Sequence, residues 1–539
     1  MYRRRVPPAE FCTLELADRL VEISTDIRRQ IAIIVNRYGV VEYVVVGDEK
    51  GVVIPELRDY PLGRRTLRGL RLIHTHLKNE PITEDDITDL SLLRLDLMAA
   101  LLFTPGKNQI FAQLAWLSPT RTGSSAVIDP VTVLERINID CLHAISELEA
   151  ELEGHTRSTS TAGNVLERAI LISATNEGTR EDAEDSITEL RELARTAQVE
   201  ALDTFIQRPR RINPRYLMGE GKMREVIIRA LQINATMLVF DQELTPAQIR
   251  SISAMTELKV IDRSQLILDI FARRAKSLDG KVQVELAQLK YLLPRLTGHG
   301  VQMSRLMGGI GGRGPGETKL EIDRRRIRDR IASLERDLKE LSRGRAQRRQ
   351  QRIKAGIPII SIVGYTNAGK STLLNALTKS DVFTEDLLFA TLDTSTRRLR
   401  FPREREVIIT DTVGFIRSLP KSLMGAFKAT LEELQDADLL LHIVDASNPR
   451  FEDHISQVEQ ILGELGLADK PQLLVFNKSD LLSELKKSST MTFLKVRQFA
   501  RTRNGLIVSA RDRKSLAPLI TELQRRFWQP EDLTNCDIY

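Results

Sequence analysis

Hydrophobic and polar positions follow two different periods along the first third of the chain. Runs of β-branched residues at 31–35 and 43–46 predict two strands that flank a turn near Gly39. The pattern at 85–102 predicts a helix instead. A stretch rich in Ser and Thr at 156–163 predicts a linker, so we expect a domain boundary there.

A second alternating unit follows this linker. Thr245 and Pro246 are the residue types of a helix cap and of a first helical position. Strands that alternate with helices imply a small parallel sheet. The predicted strands are 169–172, 199–205, 236–240 and 260–261, and the other predicted helices are 183–194 and 221–231.

Leucine and isoleucine then recur at heptad spacing on both sides of a glycine-rich stretch at 308–316. Because such a stretch cannot be helical, the two arms predict an antiparallel helical hairpin with a glycine-rich tip. Pro294 lies inside the first arm and should kink that helix or end it early. Two packed helices without a binding role are the alternative interpretation. The seam residues are Val282, Leu286, Leu289, Leu293 and Leu296 in the first arm, and Leu320, Ile327, Ile331, Leu334, Leu338 and Leu341 in the second.

A strand-like run at 359–363 leads into a glycine loop, and a leucine-rich helix start follows at 373–377. This order is typical of a P-loop, in which backbone N–H groups and a helix N-terminus hold phosphate. In that arrangement Lys370 reaches the β- and γ-phosphates and Ser371 holds Mg²⁺. The motif alone predicts a nucleoside triphosphate and does not separate ATP from GTP. The loop residues are Gly364, Tyr365, Thr366, Asn367, Ala368, Gly369, Lys370 and Ser371.

Motifs at the ends of later predicted strands favour GTP as the nucleotide. The Asp480 carboxylate can accept hydrogen bonds from N1–H and the 2-amino group of guanine, a pair of donors that adenine does not offer. Asp411 is expected to hold Mg²⁺ through water, and the Gly414 N–H to contact the γ-phosphate. The residues expected to bind GTP here are Asp411, Thr412, Val413, Gly414, Asn477, Lys478, Ser479, Asp480, Ser509, Ala510 and Arg511.

A polar stretch at 389–393 lies where a switch loop should place a hydroxyl group on Mg²⁺, and Thr391 is the candidate. An ordinary loop threonine is the alternative. We expect the whole stretch to bind GTP, and we expect Lys370, Thr391 and Gly414 to be catalytic. The stretch consists of Phe389, Ala390, Thr391, Leu392 and Asp393.

Phe415 occupies the position at which Ras-type enzymes carry the Gln that orients the attacking water. Unaided hydrolysis should therefore be slow, and a partner or a monovalent cation such as K⁺ should complete the site. Asn367 is the candidate side chain for holding that cation beside the phosphates. An amide that only stabilises the loop is the alternative.

Composition and charge narrow the class of protein. A chain of 539 residues is long enough for about three or four domains. Its net charge of +6 and pI near 9.1 favour an anionic partner. The arginine-rich residues 343–354 contain no acid and favour contact with nucleic acid, whereas the arginines at 324–330 fit a solvated helix face equally well.

Cysteine usage and hydropathy point to the cytosol. Cys12, Cys141 and Cys536 form neither a disulfide framework nor a zinc pattern. No apolar stretch approaches the roughly 20 residues of a membrane span, and the basic N-terminus is not followed by the apolar core of a signal peptide. We therefore expect a cytoplasmic protein, without a transmembrane segment, that works as a monomer.

The motifs at 389–393, 411–415 and 477–480, together with the glycine-rich segment 308–321, resemble those of the HflX family of GTPases. The resemblance spans residues 168–510. It implies a bacterial GTPase that binds the 50S ribosomal subunit and ribosomal RNA and splits or rescues ribosomes, or acts in their biogenesis. In the family, the helical hairpin reaches towards the peptidyl-transferase centre. Its N-terminal α/β domain has been linked to ATP, but this chain has no second P-loop at 168–261.

His74 and His76 belong to the first 150 residues, which extend beyond the compact form of that family. A His-x-His pair near a strand end, followed by Ser and Asp, resembles the metal site of JAB-type metalloproteases. Leu77 replaces the usual Pro, and the spacing from Ser91 to the next Asp is wrong. We therefore expect no competent zinc site, and a zinc hydrolase in the extension is the third of three functional hypotheses.

The predicted fold class is α/β, with a P-loop GTPase domain preceded by a small α/β domain and a helical hairpin, and with an α/β N-terminal extension. The leading functional hypothesis is a GTP hydrolase that associates with the 50S subunit. The alternative is an RNA-binding remodelling factor that uses GTP as a timer. The predicted segments are an extension at 1–155, an α/β domain at 165–262, a hairpin at 263–352, a GTPase domain at 356–511, and a helix and tail at 512–539.

Overall fold

A computed structural model gives the fold of most of the chain. It describes residues 4–49, 51–55, 57, 59–60, 66–103, 109–119, 125–157, 167–296, 319–355, 357–378, 389, 395–401, 405–411, 414–416, 432–482 and 490–528. Contacts divide the chain into two compact units: Met1–Thr188 with Gln198–Ile261, and Glu189–Ala197 with Asp262–Tyr539. Among the described residues, no helix combines the length and the apolar character that a membrane crossing requires.

A mixed sheet forms the first part of the first unit. Its strand order is β2-β1-β3-β4-β5-β6, with β7 paired to β5. The β1–β2 hairpin confirms the two strands predicted there. The elements are α1 (Leu14–Ile27), β1 (Ile31–Asn36), β2 (Val41–Val46), β3 (Leu70–His76), α2 (Glu84–Leu93), β4 (Leu97–Phe103), β5 (Ile110–Leu117), β6 (Ala126–Ile128), β7 (Thr132–Val133) and α3 (Cys141–Arg157).

The prediction of a helix at 85–102 is correct as far as Leu93 and wrong beyond it. α2 ends where Arg94 takes a left-handed backbone conformation, with φ 52°. The chain then forms β4, in which every residue is buried and which pairs in parallel with β3. A short continuous apolar run does not distinguish a buried strand from a buried helix by its period, so the sequence pattern allowed the error.

The second sheet also belongs to the first unit and confirms the predicted parallel arrangement. Its order is β11-β10-β8-β9, and β8 pairs in parallel with both β9 and β10. Thr245 is the N-cap of α6 and Pro246 follows it in the first turn, as expected. Thr245 also forms a capping box with Gln248. The elements are β8 (Glu167–Ala174), α4 (Arg180–Thr196), β9 (Val199–Gln207), α5 (Glu220–Gln232), β10 (Met237–Phe240), α6 (Pro246–Ser253) and β11 (Lys259–Asp262).

These two sheets are joined more closely than the sequence suggested. Leu92 of α2 packs against the core of the second sheet, and the Arg68 guanidinium donates to the Glu257 carboxylate at 3.0 Å. The linker predicted at 156–163 is wrong at its first two residues, which continue α3. Residues 158–163 lie outside the described part of the chain. The division of the chain into five segments stays a prediction.

The helical hairpin opens the second unit with α7 (Arg263–Arg274), α8 (Leu278–Leu292) and α9 (Lys319–Ala355). α8 gives way to a 3₁₀ turn at Leu293–Leu296, which confirms the early helix end expected at Pro294. Residues of both arms form one core cluster, as the heptad pattern predicted. The cluster consists of Val282, Leu286 and Leu334, with Leu289, Ile331 and Leu338 packed against it. The glycine-rich tip lies outside the described residues.

Ion pairs on the two sides of this seam agree with an antiparallel arrangement. The Arg330 guanidinium bonds to the Glu285 carboxylate at 2.7 and 2.8 Å, and the Lys290 ammonium lies 2.7 Å from the Glu335 carboxylate. With Leu286 and Ile331 assigned to heptad position a, Glu285 and Arg330 both occupy position g. Lys290 and Glu335 both occupy position e. Pairing of identical flanking positions is what antiparallel helices produce.

The segment predicted to be a GTPase domain forms a three-layer α/β structure. Its sheet has the order β13-β14-β12-β15-β16-β17, parallel around β12 and with β13 antiparallel at the edge. One face carries Leu373 and Leu519 in its core, and the other carries Phe451 and Val496. The elements are β12 (Ile359–Gly364), α10 (Lys370–Thr378), β13 (Ser395–Phe401), β14 (Arg405–Asp411), β15 (Leu439–Asp445), α11 (Phe451–Glu464), β16 (Gln472–Asn477), α12 (Thr490–Thr502), β17 (Leu506–Ile507) and α13 (Ala517–Phe527).

Candidate nucleotide-binding site

The predicted P-loop lies between β12 and α10, at the carboxyl end of the parallel strands, where ligands of open α/β sheets bind. Gly364 has φ 149°, and a Cβ there would collide with the Ile443 carbonyl oxygen. Gly369 has φ 85°, and a Cβ there would collide with the Asn477 amide. Both positions therefore require glycine, which leaves the loop backbone free to approach phosphate.

Lys370 is buried at the start of α10, and its ammonium group donates to the Tyr365 carbonyl oxygen at 2.7 Å. Burial lowers the pKa of Lys370 to about 8, although the nearby Asp411 carboxylate acts in the opposite direction. A buried ammonium whose charge is weakly stabilised by the protein has much to gain from a phosphate. This agrees with the predicted role of Lys370 at the β- and γ-phosphates.

Ser371 and Asp411 form the candidate magnesium site. The Ser371 hydroxyl donates to the Asp411 carboxylate at 2.7 Å, and Asp411 is fully buried at the end of β14. A hydroxyl and a carboxylate beside the phosphate loop are the hard oxygen ligands that Mg²⁺ prefers. The residues present therefore fit the ion. When bound, Mg²⁺ would neutralise charge that develops on the β- and γ-phosphates.

Asn477 joins the P-loop to the segment that follows β17. Its side-chain amide donates to the Ala368 carbonyl oxygen at 3.0 Å and accepts from the Ala510 N–H at 2.9 Å. Asp480 accepts from the Ser509 hydroxyl at 2.6 Å, which fixes the carboxylate that should recognise guanine. The sequence predicted that these segments share one site, and the structure brings them together.

Three further predicted residues support this region. The Lys478 ammonium lies 2.8 Å from the Asp445 carboxylate at the end of β15, and Lys478 has φ 62°. The Ser479 N–H donates to the Val508 carbonyl oxygen at 3.1 Å. The Arg511 N–H donates to the Ser509 hydroxyl at 3.3 Å.

Gly414 and Phe415 lie directly against the P-loop. A Cβ on Gly414 would lie 2.8 Å from the Lys370 ammonium and 2.9 Å from the Thr366 side chain, so this position leaves little room for a side chain. The Phe415 N–H donates to the Gly364 carbonyl oxygen at 3.1 Å, and the Thr366 N–H donates to the Phe415 carbonyl oxygen at 2.7 Å. Phe415 occupies the position at which Ras-type enzymes carry the water-orienting Gln. Its side chain is buried and apolar, so it anchors the segment 414–416 and offers no group that could orient water.

Of the remaining predicted residues, two are described and six lie outside the described part. Asn367 is exposed on the loop and has φ 59°. The Phe389 ring is buried and makes an edge contact with Phe271 of α7, at 4.6 Å between centroids. The predicted site residues outside the described ranges are Ala390, Thr391, Leu392, Asp393, Thr412 and Val413.

Sequence reasoning missed the support of the P-loop by Glu189 of α4. The Tyr365 hydroxyl donates to the Glu189 carboxylate, which also pairs with the Arg263 guanidinium. The Tyr365 ring stacks on His454 at 3.8 Å between centroids and an interplanar angle of 6°. These partners are far apart along the chain, so no local pattern could have identified them.

Comparisons with known proteins agree with this geometry. Three family models match successive parts of the chain: "GTP-binding GTPase N-terminal" at residues 184–272, "GTP-binding GTPase Middle Region" at 274–352, and "50S ribosome-binding GTPase" at 359–478. All three matches lie beyond the first sheet of the fold.

Similar proteins cover much of the same span. GTPase HflX of Caldanaerobacter subterraneus subsp. tengcongensis is 46% identical over 369 residues, which are 68% of this chain and 82% of that protein. GTPase HflX of Escherichia coli K12 is 47% identical over 305 residues, which are 57% of this chain and 71% of that protein. A solved GTP-binding protein from Sulfolobus solfataricus, in complex with GDP, is 24% identical with a TM-score of 0.37, and the match covers 66% of this chain and 99% of that one.

Proposed function

We propose that this chain, which belongs to the HflX family of GTPases, binds the 50S ribosomal subunit in its GTP state and leaves it after hydrolysis. The observation that carries the proposal is one chain that combines a guanine-type P-loop site with a basic helical hairpin. The family model that matches the GTPase domain is itself described as a ribosome-binding GTPase. The cytoplasm, where ribosomes work, is the proposed location.

The residues around the P-loop support the GTP-binding half of this proposal. Lys370 and the loop N–H groups bind the phosphates, Ser371 and Asp411 hold Mg²⁺, and Asp480 selects guanine. Thr391 would add its hydroxyl to the magnesium ion, and the Gly414 N–H would meet the γ-phosphate. In this assignment Lys370, Thr391 and Gly414 stabilise the charge of the transferring phosphoryl group.

The ribosomal half rests on α9. This helix of 37 residues carries all the arginines at 324–352, and Arg343 is exposed on it. Clustered arginine favours phosphate contacts, which give nucleic-acid binding its affinity and its salt dependence. Ribosomal RNA is therefore the proposed direct partner of the hairpin, and splitting, rescue or assembly of ribosomes is the proposed process.

The deciding experiment measures GTP turnover by the full-length chain alone, with purified 50S subunits and with 30S subunits. We expect slow turnover alone, because Phe415 cannot orient water, and at least a ten-fold increase with 50S only. Binding of the chain to 50S should require a non-hydrolysable GTP analogue. Absence of both stimulation and analogue-dependent binding would contradict the ribosomal role and leave the GTP site intact.

Hydrolysis also gives a test of a monovalent cation. We propose that Asn367, exposed on the P-loop, helps to hold K⁺ beside the phosphates, where it would compensate for the missing Gln. Turnover should then be faster in KCl than in NaCl, and Asn367→Ala should lose the difference. Equal rates in the two salts would assign Asn367 to loop stabilisation only.

A second function, RNA remodelling with GTP as a timer, is favoured by the acid-free arginine stretch alone. Replacing Arg343, Arg345, Arg348 and Arg349 by Gln should then weaken binding to protein-free structured RNA and reduce its salt slope. Unchanged RNA binding by the quadruple variant, with loss of 50S binding, would leave the ribosomal role as the one supported.

A further inference from the structure

His74 and His76 lie side by side in the core of the N-terminal sheet, in the compact unit that does not contain the P-loop. Both belong to β3, whose seven residues are all buried between β1 and β4. Residues two apart on a strand point to the same face, so the two imidazoles are neighbours. Each histidine is 2% exposed, and their Nε2 atoms are 2.7 Å apart.

Asp86 completes a group of three donors from the first turn of α2. Thr83 and Asp86 form a capping box, in which the Thr83 N–H and hydroxyl donate to the Asp86 carboxylate at 2.8 and 2.7 Å. The same carboxylate has its oxygens 3.4 Å from His74 Nε2 and 3.6 Å from His76 Nε2.

The spacing of these donors is close to that of a tetrahedral zinc site. Ligand atoms bound to Zn²⁺ at about 2.0–2.1 Å lie roughly 3.3 Å from each other. Here the two Nε2 atoms are 2.7 Å apart, His74 Nε2 is 3.4 Å from Asp86 Oδ1, and His76 Nε2 is 3.6 Å from Asp86 Oδ2. One donor atom from each residue can be chosen so that all three lie within 4.8 Å of one another, so small movements of the side chains would match the ion. Two imidazoles and one carboxylate are also a donor set that suits zinc.

The hydrogen bond of His76 agrees with metal binding. His76 Nδ1 lies 2.7 Å from the Glu80 carbonyl oxygen, so Nδ1 carries the proton and Nε2 keeps its lone pair towards the cluster. A metal-bound histidine usually donates its second ring N–H in this way, which fixes the orientation of the ring.

The carboxylate of this cluster does not come from the position that the sequence pattern indicated. The expectation of no zinc site was based on the spacing from Ser91 to the next Asp, whereas the structure supplies Asp86 from the turn that caps α2. Ser91 is buried in the same helix and is not one of the three donors. Asp86 lies 10 positions after His76, and the loop after β3 and the cap of α2 bring it back to the two histidines.

We propose that His74, His76 and Asp86 bind one Zn²⁺ ion, with the fourth coordination position open to water. Three protein ligands with an open position are the pattern of exchangeable and catalytic zinc sites, whereas structural sites use four protein ligands. The site is independent of the proposed ribosomal GTPase function, since none of its residues takes part in nucleotide binding.

The test uses the untagged full-length chain, incubated with ZnSO₄, desalted and analysed for metal by mass spectrometry. We expect about one zinc per chain in the wild type and less than one tenth of that in a His74→Gln/His76→Gln double variant. Asp86→Asn should weaken zinc binding at least ten-fold. The matched control is His143→Gln, a change of an exposed histidine in α3 of the same extension, which should keep the full zinc content.

Two further readouts keep the test decisive if the double variant fails to fold. Amide hydrogen exchange in β1 and β4, the strands on either side of β3, reports whether the N-terminal sheet of each variant is folded. Cobalt in place of zinc should give a visible d–d spectrum without thiolate charge transfer, and Asp86→Asn should change that spectrum. A wild-type chain that keeps no more zinc than the double or Asp86→Asn variant, or a cobalt spectrum with cysteine ligands, would overturn the proposal.

Discussion

At the residue scale, the choice of nucleotide depends on how one carboxylate is held. Asp480 accepts a hydrogen bond from the Ser509 hydroxyl at 2.6 Å, and Ser509 in turn follows the strand that pairs with β16. The carboxylate that should recognise guanine is thus held by a second segment, so the nucleotide does not have to order it. Preorganised acceptors discriminate strongly, because a base that cannot donate leaves them unpaired.

Asp480→Asn should exchange guanine for xanthine specificity. The variant amide presents a donor to the 2-amino group of guanine, so we expect GTP affinity to fall by about 100-fold or more. Xanthine carries a carbonyl at that position and should bind better to the variant than to the wild type. Competition with a fluorescent nucleotide measures both affinities.

The matched control is Asp512→Asn, because Asp512 is exposed and caps a nearby turn by accepting from the Lys514 N–H. It should leave both affinities unchanged. GTP binding of wild-type strength in Asp480→Asn would remove Asp480 from base recognition.

Lys370 should make GTP binding depend on pH. Its pKa is lowered to about 8 by burial, so the ammonium loses its proton at a pH well below its ordinary value of 10.5. Only the charged form attracts phosphate, and phosphate itself titrates near pH 6. Affinity for GTP should therefore be nearly constant between about pH 7 and pH 7.5, where the phosphate is ionised and Lys370 is charged, and should fall by up to ten-fold per pH unit above pH 8.

The lowered pKa of Lys370 affects folding stability in the opposite direction to GTP affinity. Between pH 8 and 10.5 the unfolded chain binds more protons at this lysine than the folded one, so its contribution to stability rises with pH. A loss of GTP affinity in that range therefore does not come from unfolding at Lys370. The Lys370→Arg variant keeps its charge over this whole pH range. It should bind GTP more weakly than the wild type, but its affinity should not fall with pH. Titration of the nucleotide affects both proteins equally. Parallel pH profiles of the two proteins would contradict the assignment.

At the element scale, sequence patterns predicted most helices and strands that have a clear period or cap. The heptad seam, Pro294 and the Thr245 cap each determine local structure through a contact a few residues away, so they can be identified without the fold. The run from Leu95 to Phe103 has no such period, and only its pairing with β3 makes it a strand. Glu189 likewise reaches Tyr365 only through the fold.

Leu334→Ala should destabilise the hairpin without affecting the GTP site. Leu334 is 1% exposed and packs in the seam between α8 and α9, so its truncation leaves a cavity that costs about 2–5 kcal/mol. We expect faster amide hydrogen exchange in α8 and α9, while exchange in β12 and affinity for GTP stay the same.

Leu292→Ala is the control for this change. Leu292 is 39% exposed at the end of α8, so the same substitution removes little buried surface and should leave exchange near the wild-type pattern. Equal exchange in the two variants would mean that the hairpin does not depend on its seam.

At the scale of the whole molecule, the sequence predicted the GTPase domain better than the extension. Phosphate and guanine recognition need particular residues at fixed spacing, so their motifs can be read directly. The zinc cluster joins a strand to a helix cap through a loop, and the junction of the two N-terminal sheets joins Arg68 to Glu257 across almost 190 positions. Neither leaves a local pattern.

The proposed function requires the GTP site and the ribosome-binding surface to be coupled. If a GTP analogue raises affinity for 50S by some factor over GDP, then 50S must raise affinity for the analogue over GDP by the same factor. Such couplings are typically about 5–150-fold, and we expect at least ten-fold here. Co-sedimentation with 50S measures the first factor, and nucleotide competition in the presence of saturating 50S measures the second.

Asp480→Asn can show which site drives this coupling. Because the variant should prefer xanthine nucleotides, its binding to 50S should respond to a non-hydrolysable XTP analogue and ignore the GTP analogue, while Asp512→Asn behaves like the wild type. Variants with Arg343, Arg345, Arg348 and Arg349 changed to Gln should lose 50S affinity in every nucleotide state yet keep GTP affinity in the absence of 50S. Binding to 50S that is equal with the analogue and with GDP would show that the two sites are not coupled, and GTP would then have no role in choosing the ribosome-bound state.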